Sequence, residues 1–208
     1  MNIVFDFGGV LFNWQPPRLL ARVWPHRATD ETVARELVQQ FFQNYGGDWG
    51  AFDQGLIGLE EVIQRIAART GWPEAEIRQV TDAVPAELAL QAGTVALIED
   101  LKRAGHRLFF LSNMPEPFAD HLEQSFPLHE WFEAGVFSGR VKQIKPGAEV
   151  FGMAVERFGV PAESLVFIDD HPANIDAARV LGWQAILFNS AEQVRTDLEA
   201  LGLAVTSP

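Results

Sequence analysis

The chain has 208 residues, a formal net charge of -12, 48% hydrophobic and 21% charged residues, and no cysteine. That balance describes a soluble globular protein, one domain with an insertion or two small domains, and it excludes disulfides, thiolate metal sites and a cysteine nucleophile. The acidic charge opposes a phosphate backbone or an anionic membrane, so neither nucleic acid nor membrane is expected as a partner, and an anionic substrate needs local positive charge at its site.

The run Ile3-Val4-Phe5-Asp6-Phe7-Gly8-Gly9-Val10 is apolar, delivers one carboxylate and breaks at two glycines. It reads as a buried parallel strand, whose carboxyl end is where ligands bind in open α/β sheets. Asp6 is then either a chemical group or a turn residue. The chain enters this strand without a basic leader and has no apolar stretch of bilayer length, so a cytoplasmic protein, monomeric or homodimeric, is expected. Helical spacing follows over 30–42 and 59–68, and a further helix over 73–84 begins with proline at its first turn. Between the first two, Tyr45, Trp49 and Phe52 are interleaved with Gly46, Gly47 and Gly50. No strand is expected there, and residues 15–85 read as a helical module inserted after the first strand.

From Ala92 onward helices and strands alternate: helix 95–104 stopped by Gly105, strand 108–111, a weak strand 136–138, helix 150–158, strand 165–168, helix 173–181, strand 185–188 and helix 192–201. This predicts an α/β fold, a Rossmann-like parallel sheet with helices on both faces, built from 1–14 and 86–208. Four groups fall at strand ends or before a helix: Asp6, then Ser112-Asn113, Lys145-Pro146 and Asp169-Asp170. Each has a local alternative. Ser112 or Asn113 suits a cap, Lys145 a solvated surface, and the two aspartates the acidic first turn of a helix. In a parallel sheet all four lie along one edge.

In that order these motifs resemble the haloacid dehalogenase-like (HAD) hydrolase superfamily, and the helical module resembles its small cap domain. Asp6-x-Gly8, Leu111-Ser112-Asn113 and Asp169-Asp170 followed by Asn174 are most similar to the bacterial α-D-glucose-1-phosphate phosphatase group. The phosphatase domain of soluble epoxide hydrolase is a more distant likeness. The resemblance implies a phosphatase acting on a small phosphate ester, with Asp6 as nucleophile forming an aspartyl-phosphate, Ser112 and Asn113 donating to the transferred group, and Lys145 acting as a point charge. Three carboxylates and a phosphate dianion against one lysine call for a hard cation, and Mg²⁺ suits an all-oxygen site. Its expected ligands are Asp6, the backbone carbonyl of Gly8 and Asp170, with Asp169 a ligand or a partner of one.

Gly8 departs from the pattern, because most phosphatases of the superfamily carry there a second Asp that protonates the leaving alcohol. Either the leaving group is a good one such as an anomeric sugar hydroxyl, or a cap residue or the substrate supplies the proton, or the protein binds a phosphorylated metabolite without turning it over. A metal-independent dehalogenase is a further alternative, disfavoured by the adjacent Asp169-Asp170 pair. Tyr45 and Trp49 are the candidates for the mouth of the site, with Phe52 either joining them or packing in the module's core. His171 either touches the substrate or starts a helix. His106, His121 and His129 show no ligand spacing, and Trp14, Trp24, Trp72, Trp131 and Trp183 read as packing residues.

Overall fold

The computed structural model describes residues 2–205. The first strand, β1 (Asn2–Phe5), is followed by five helices, α1 (Pro16–Val23), α2 (Glu31–Phe42), α3 (Gly47–Asp53), α4 (Leu59–Thr70) and α5 (Glu74–Glu87). Then come α6 (Ala92–Arg103), β2 (Arg107–Ser112), α7 (Glu116–Ser125), the short α8 (Leu128–Trp131), β3 (Ala134–Phe137) and the short α9 (Ser138–Val141). The chain closes with α10 (Ala148–Phe158), β4 (Leu165–Asp169), α11 (Pro172–Val180), β5 (Gln184–Leu187) and α12 (Ala191–Ala200). The five strands form one parallel sheet in the order β3-β2-β1-β4-β5, as the alternation of apolar runs and helices predicts.

Successive strand side chains point to opposite faces, and here both faces are buried. Ile3, Phe5, Leu108, Phe110, Val166 and Ile168 join one apolar cluster, while Val4, Phe109, Leu111, Leu165 and Phe167 join another with α10 and α11. The first cluster runs on without a break into Phe41, Trp49, Val62, Ile66 and Val80 of the inserted helices. The chain enters and leaves that helical set side by side: Asn13 N donates to Ala89 O at 2.8 Å and Gln91 N to Leu11 O at 2.9 Å.

Five helices lie outside the expected ones: α1, α3, α7 and the short α8 and α9. α1 begins at two prolines, α7 follows Pro115, and α3 is built from Gly47, Trp49, Gly50 and Phe52, a sequence with little intrinsic helix preference. Burial of Trp49 and Phe52 against Phe41, Phe42 and Phe118 offsets that preference. The weak strand begins earlier than expected, at Ala134, and Ser138 already starts α9. Pro73 sits one residue before α5 as its cap.

Gly135 on β3 faces Phe110 on β2, and a Cβ at Gly135 would lie 1.9 Å from that ring. Phe110 is itself packed by Phe7, Phe132 and Phe137. Gly135→Ala is therefore expected to cost about 1–3 kcal/mol of stability through overpacking; an unchanged urea midpoint would contradict this packing.

Candidate active site

The sheet order brings three strand ends together. β1 lies between β2 and β4, with Phe5 paired to Phe110 and to Ile168, and Asp6 N extends the ladder by donating to Ile168 O at 2.9 Å. Asp6 and Asp169 are thus neighbours across adjacent strands. Lys145, from the loop before α10, inserts between them: its Nζ lies 2.8 Å from Asp6 Oδ1, 2.7 Å from Asp169 Oδ2 and 2.9 Å from Leu111 O. Those three contacts use all three ammonium protons. Its side chain is only 1% exposed, so the solvated alternative for Lys145 is ruled out.

Asn113 holds the backbone on which Lys145 sits. Its Oδ1 accepts from Lys145 N at 2.9 Å and its Nδ2 donates to Lys145 O at 3.0 Å, leaving one amide N–H for any other acceptor. Ser112 differs from the expected arrangement in another way: its Oγ is buried with no hydrogen-bond partner among the described residues, and Ser112 does not line the cavity into which Asn113 opens. An unsatisfied buried hydroxyl costs about 1–3 kcal/mol, which suits a group kept for a ligand.

Asp169 is saturated. Oδ1 accepts from His171 N at 2.7 Å and Asn174 Nδ2 at 3.0 Å, and Oδ2 accepts from Lys145 and again from Asn174 Nδ2 at 3.0 Å. Asp6 Oδ1 also accepts from Phe7 N at 2.7 Å. Among the described residues, the oxygens of this group left without a donor from another residue are Asp6 Oδ2, the Asp170 carboxylate and the carbonyl of Gly8. One carboxylate oxygen from each of Asp6, Asp169 and Asp170 lies within 4.8 Å of the others. Gly9 makes the approach of Asp170 possible, since it adopts φ +80 and a Cβ there would stand 2.2 Å from Asp170 Oδ2.

Burial pushes the Asp6 carboxyl up to about 8, against the pull of Lys145 and with Asp169 and Asp170 pushing the same way. Burial, then Asp169, raises Asp170 as well. Burial works against the charge on Lys145, yet Asp169 and Asp6 outweigh it and hold its pKa above the usual lysine value. The site therefore carries more carboxylate than its one cation neutralises, and it favours a proton or a metal ion on Asp6. An all-oxygen set with three free oxygens from Asp6, Gly8 and Asp170 fits a hard divalent cation, and Asp169, filled by hydrogen bonds, fits the part of positioning Lys145.

Beside these groups opens a cavity of about 210 Å³. Its walls include Tyr45, Trp49 and His171, the last at the start of α11. Trp49 is 2% exposed and packed among Phe41, Phe42 and Phe52, so only an edge of it reaches the cavity. Trp14 packs edge-on against Phe42, as a packing residue should, and also lines the cavity over Gly8, where its indole N–H donates to the Tyr45 hydroxyl at 3.0 Å. Gln43, Asn44 and Tyr45 all adopt positive φ, which turns Asn44 and Tyr45 toward this space. Asp53, Leu88, Met114 and Phe118 also line it and carry no motif that would have marked them.

A family model described as haloacid dehalogenase-like hydrolase matches residues 1–182. Among curated proteins, the chain is 24% identical over 94% of its length to drimenol cyclase drtB of Aspergillus calidoustus, of which it spans only 35%. It is 25% identical to sesquiterpene phosphatase astK of Aspergillus oryzae, covering 86% of this chain and 85% of that one. It is 29% identical to fructose-1-phosphate phosphatase YqaB of Escherichia coli, covering 89% and 94%. Among solved structures, the HAD enzyme bt-2542 of Bacteroides thetaiotaomicron, in complex with magnesium and inorganic phosphate, superposes with a TM-score of 0.71 at 23% identity over 91% of this chain and 94% of that one. The match of the family model over most of its length shows that the chain belongs to the haloacid dehalogenase-like hydrolases.

Proposed function

We propose that the protein is a Mg²⁺-dependent phosphatase that hydrolyses a small phosphomonoester, a sugar phosphate first, through an aspartyl-phosphate on Asp6. The observation that carries this reading is Lys145, fully buried and bonded at once to Asp6 Oδ1 and Asp169 Oδ2. It holds one carboxylate still at the mouth of a cavity and keeps positive charge where a phosphoryl group would arrive, which is what in-line attack requires. The remaining Asn113 N–H, which lines the cavity, is a donor for the transferred group, and the Ser112 hydroxyl, buried outside the lining, would join it only after a shift of its side chain. Mg²⁺ would be held by Asp6, the Gly8 carbonyl and Asp170, and when bound it supplies charge neutralisation for the phosphoryl oxygens. α1–α5 serve as the cap, and we take the division as 1–14 with 86–208 for the core and 15–85 for the cap.

The walls support a neutral organic group. Lys145 is the single lysine or arginine among the lining residues, so the substrate carries one phosphate and no second anion. Trp14 and Tyr45 offer a surface for the apolar face of a sugar, to which the buried Trp49 adds only an edge, and Asn44 and His171 offer polar atoms for its hydroxyls. The phosphatase names of astK and YqaB support phosphate-ester hydrolysis and span apolar and sugar esters.

Phosphate release from sugar phosphates, a terpenyl phosphate and p-nitrophenyl phosphate, with Mg²⁺ and with chelator, tests the reading. The expected result is release that needs Mg²⁺ and falls about 10³-fold or more in Asp6→Asn. Release that survives both changes overturns it, and retained Mg²⁺ binding with no release from any ester favours the binding protein that Gly8 suggests.

Metal binding should also depend on pH. Below about 8 the metal-free site keeps a proton on Asp6, so Mg²⁺ affinity rises with pH up to that value and levels above it. Because the folded state holds this proton more tightly than the unfolded chain does, its contribution to the stability of the metal-free protein is lost as pH rises from about 4 to about 8. Thermal melting should show Mg²⁺ at a hundredfold excess over Kd adding about 2.7 kcal/mol, an increment that shrinks in Asp170→Asn. Equal Mg²⁺ protection at pH 6 and pH 8 would contradict this.

A further inference from the structure

The position that lacks an acid is not crowded: a Cβ on Gly8 would meet only Trp14, at 3.7 Å or more. The same cavity is lined by a carboxyl that holds neither Lys145 nor the candidate metal position. Asp53, the last residue of α3, lines the same cavity as Asp6, Gly8 and Asp170 and is 5% exposed. No lysine or arginine pairs with it among the described residues. Its side chain meets one hydrogen-bonding side chain, Trp49, one helical turn back on α3. Burial pushes its carboxyl well above the usual carboxylate range, which favours the protonated acid over the carboxylate.

Its place relative to the core is fixed. Ser138 Oγ donates to Asp53 O at 2.5 Å and accepts from Met114 N at 2.8 Å, which ties the end of α3 to the loop after β2. Gln54 Nε2 donates to Lys142 O at 2.8 Å, and Lys142 Nζ donates back to Gly55 O at 2.7 Å. The Tyr45 hydroxyl lies within electrostatic reach of both Asp53 and Asp170. A buried carboxyl with a neutral indole partner and no cation beside it among the described residues costs stability, which is the pattern expected where the proton is used.

We propose that Asp53 replaces the acid that Gly8 lacks, protonating the leaving oxygen of the substrate. The inference rests on the phosphatase reading. As Asp6 attacks phosphorus, the bond from phosphorus to the ester oxygen breaks, its electron pair passes to that oxygen, and the Asp53 proton completes the alcohol. In the second half, water attacks the aspartyl-phosphate and gives its proton to the Asp53 carboxylate, the bond from phosphorus to Asp6 breaks, and inorganic phosphate leaves with both side chains restored. Tyr45 is the competing donor, but burial pushes its phenol up to about 12, a weaker acid than a carboxyl.

Leaving-group dependence in the first turnover tests this with Mg²⁺-loaded enzyme. In Asp53→Asn, release of p-nitrophenol, which needs no protonation, should stay within about tenfold of wild type, while release of an alkyl alcohol falls about 10²–10³-fold. Gly8→Asp added to Asp53→Asn should recover about tenfold or more of the alkyl rate. In the wild type itself, first-turnover rates should vary little with the basicity of the leaving group. Equal losses on both esters, a steep dependence in the wild type, or the leaving-group signature in Tyr45→Phe but not in Asp53→Asn each overturn the role of Asp53. A wild type inactive on every ester overturns the phosphatase reading itself, and this inference with it.

Discussion

The site depends on one buried ammonium shared by two carboxylates. Lys145 Nζ donates to Asp6, Asp169 and the carbonyl of Leu111, so it links β1, β4 and β2 at their carboxyl ends. Removing ions from water costs several kcal/mol each, and such a cluster persists only when its members satisfy one another. The surroundings are arranged to that end. Asn113 fixes the main chain of Lys145, Asn174 and the His171 amide fill what remains of Asp169, and the Phe7 amide takes a share of Asp6. The charge still unbalanced is confined to Asp6 and Asp170, and these open toward the cavity.

The same linkage ties the inserted helices to the chemistry. Strand ends alone make a shallow site, open to water. The cavity acquires depth because α2 and α3 are joined by a turn in which Gln43, Asn44 and Tyr45 are all left-handed. Such backbone is uncommon outside glycine, and it clusters where a wall must be placed against a ligand. The Trp14 indole, bonded to the Tyr45 hydroxyl, closes the wall above Gly8. The small residue at position 8 leaves room for the large one at position 14, and Asp53 lines the same cavity.

Much of this was legible in the sequence, for local reasons. Apolar runs ending at Asp6, Ser112 and Asp169 identify parallel strands, and the parallel topology alone places their ends along one edge. Lys145 was legible only through its order among the motifs, because a lysine before a helix has no local mark of burial. What escaped was non-local. α3 contains two glycines and is helical because Trp49 and Phe52 are buried from outside. The amide of Asn113 bonds a residue 32 positions away, so its positioning part could not be separated from direct donation. Trp14 reads as a packing residue and does pack on Phe42, but nothing local marked its second place in the cavity wall. Asp53 carried one faint sign, an acid one helical turn beyond a tryptophan in an aromatic segment.

The central claim is that the carboxylate held by Lys145 is the group that takes the phosphoryl group. Acid quench during turnover, followed by mass spectrometry of the peptide containing Asp6, tests it directly. The account predicts a phosphate on Asp6 that borohydride reduces and that Asp6→Asn lacks, with overall retention at a chiral phosphorus. Turnover with inversion at phosphorus and no adduct on Asp6 would contradict it.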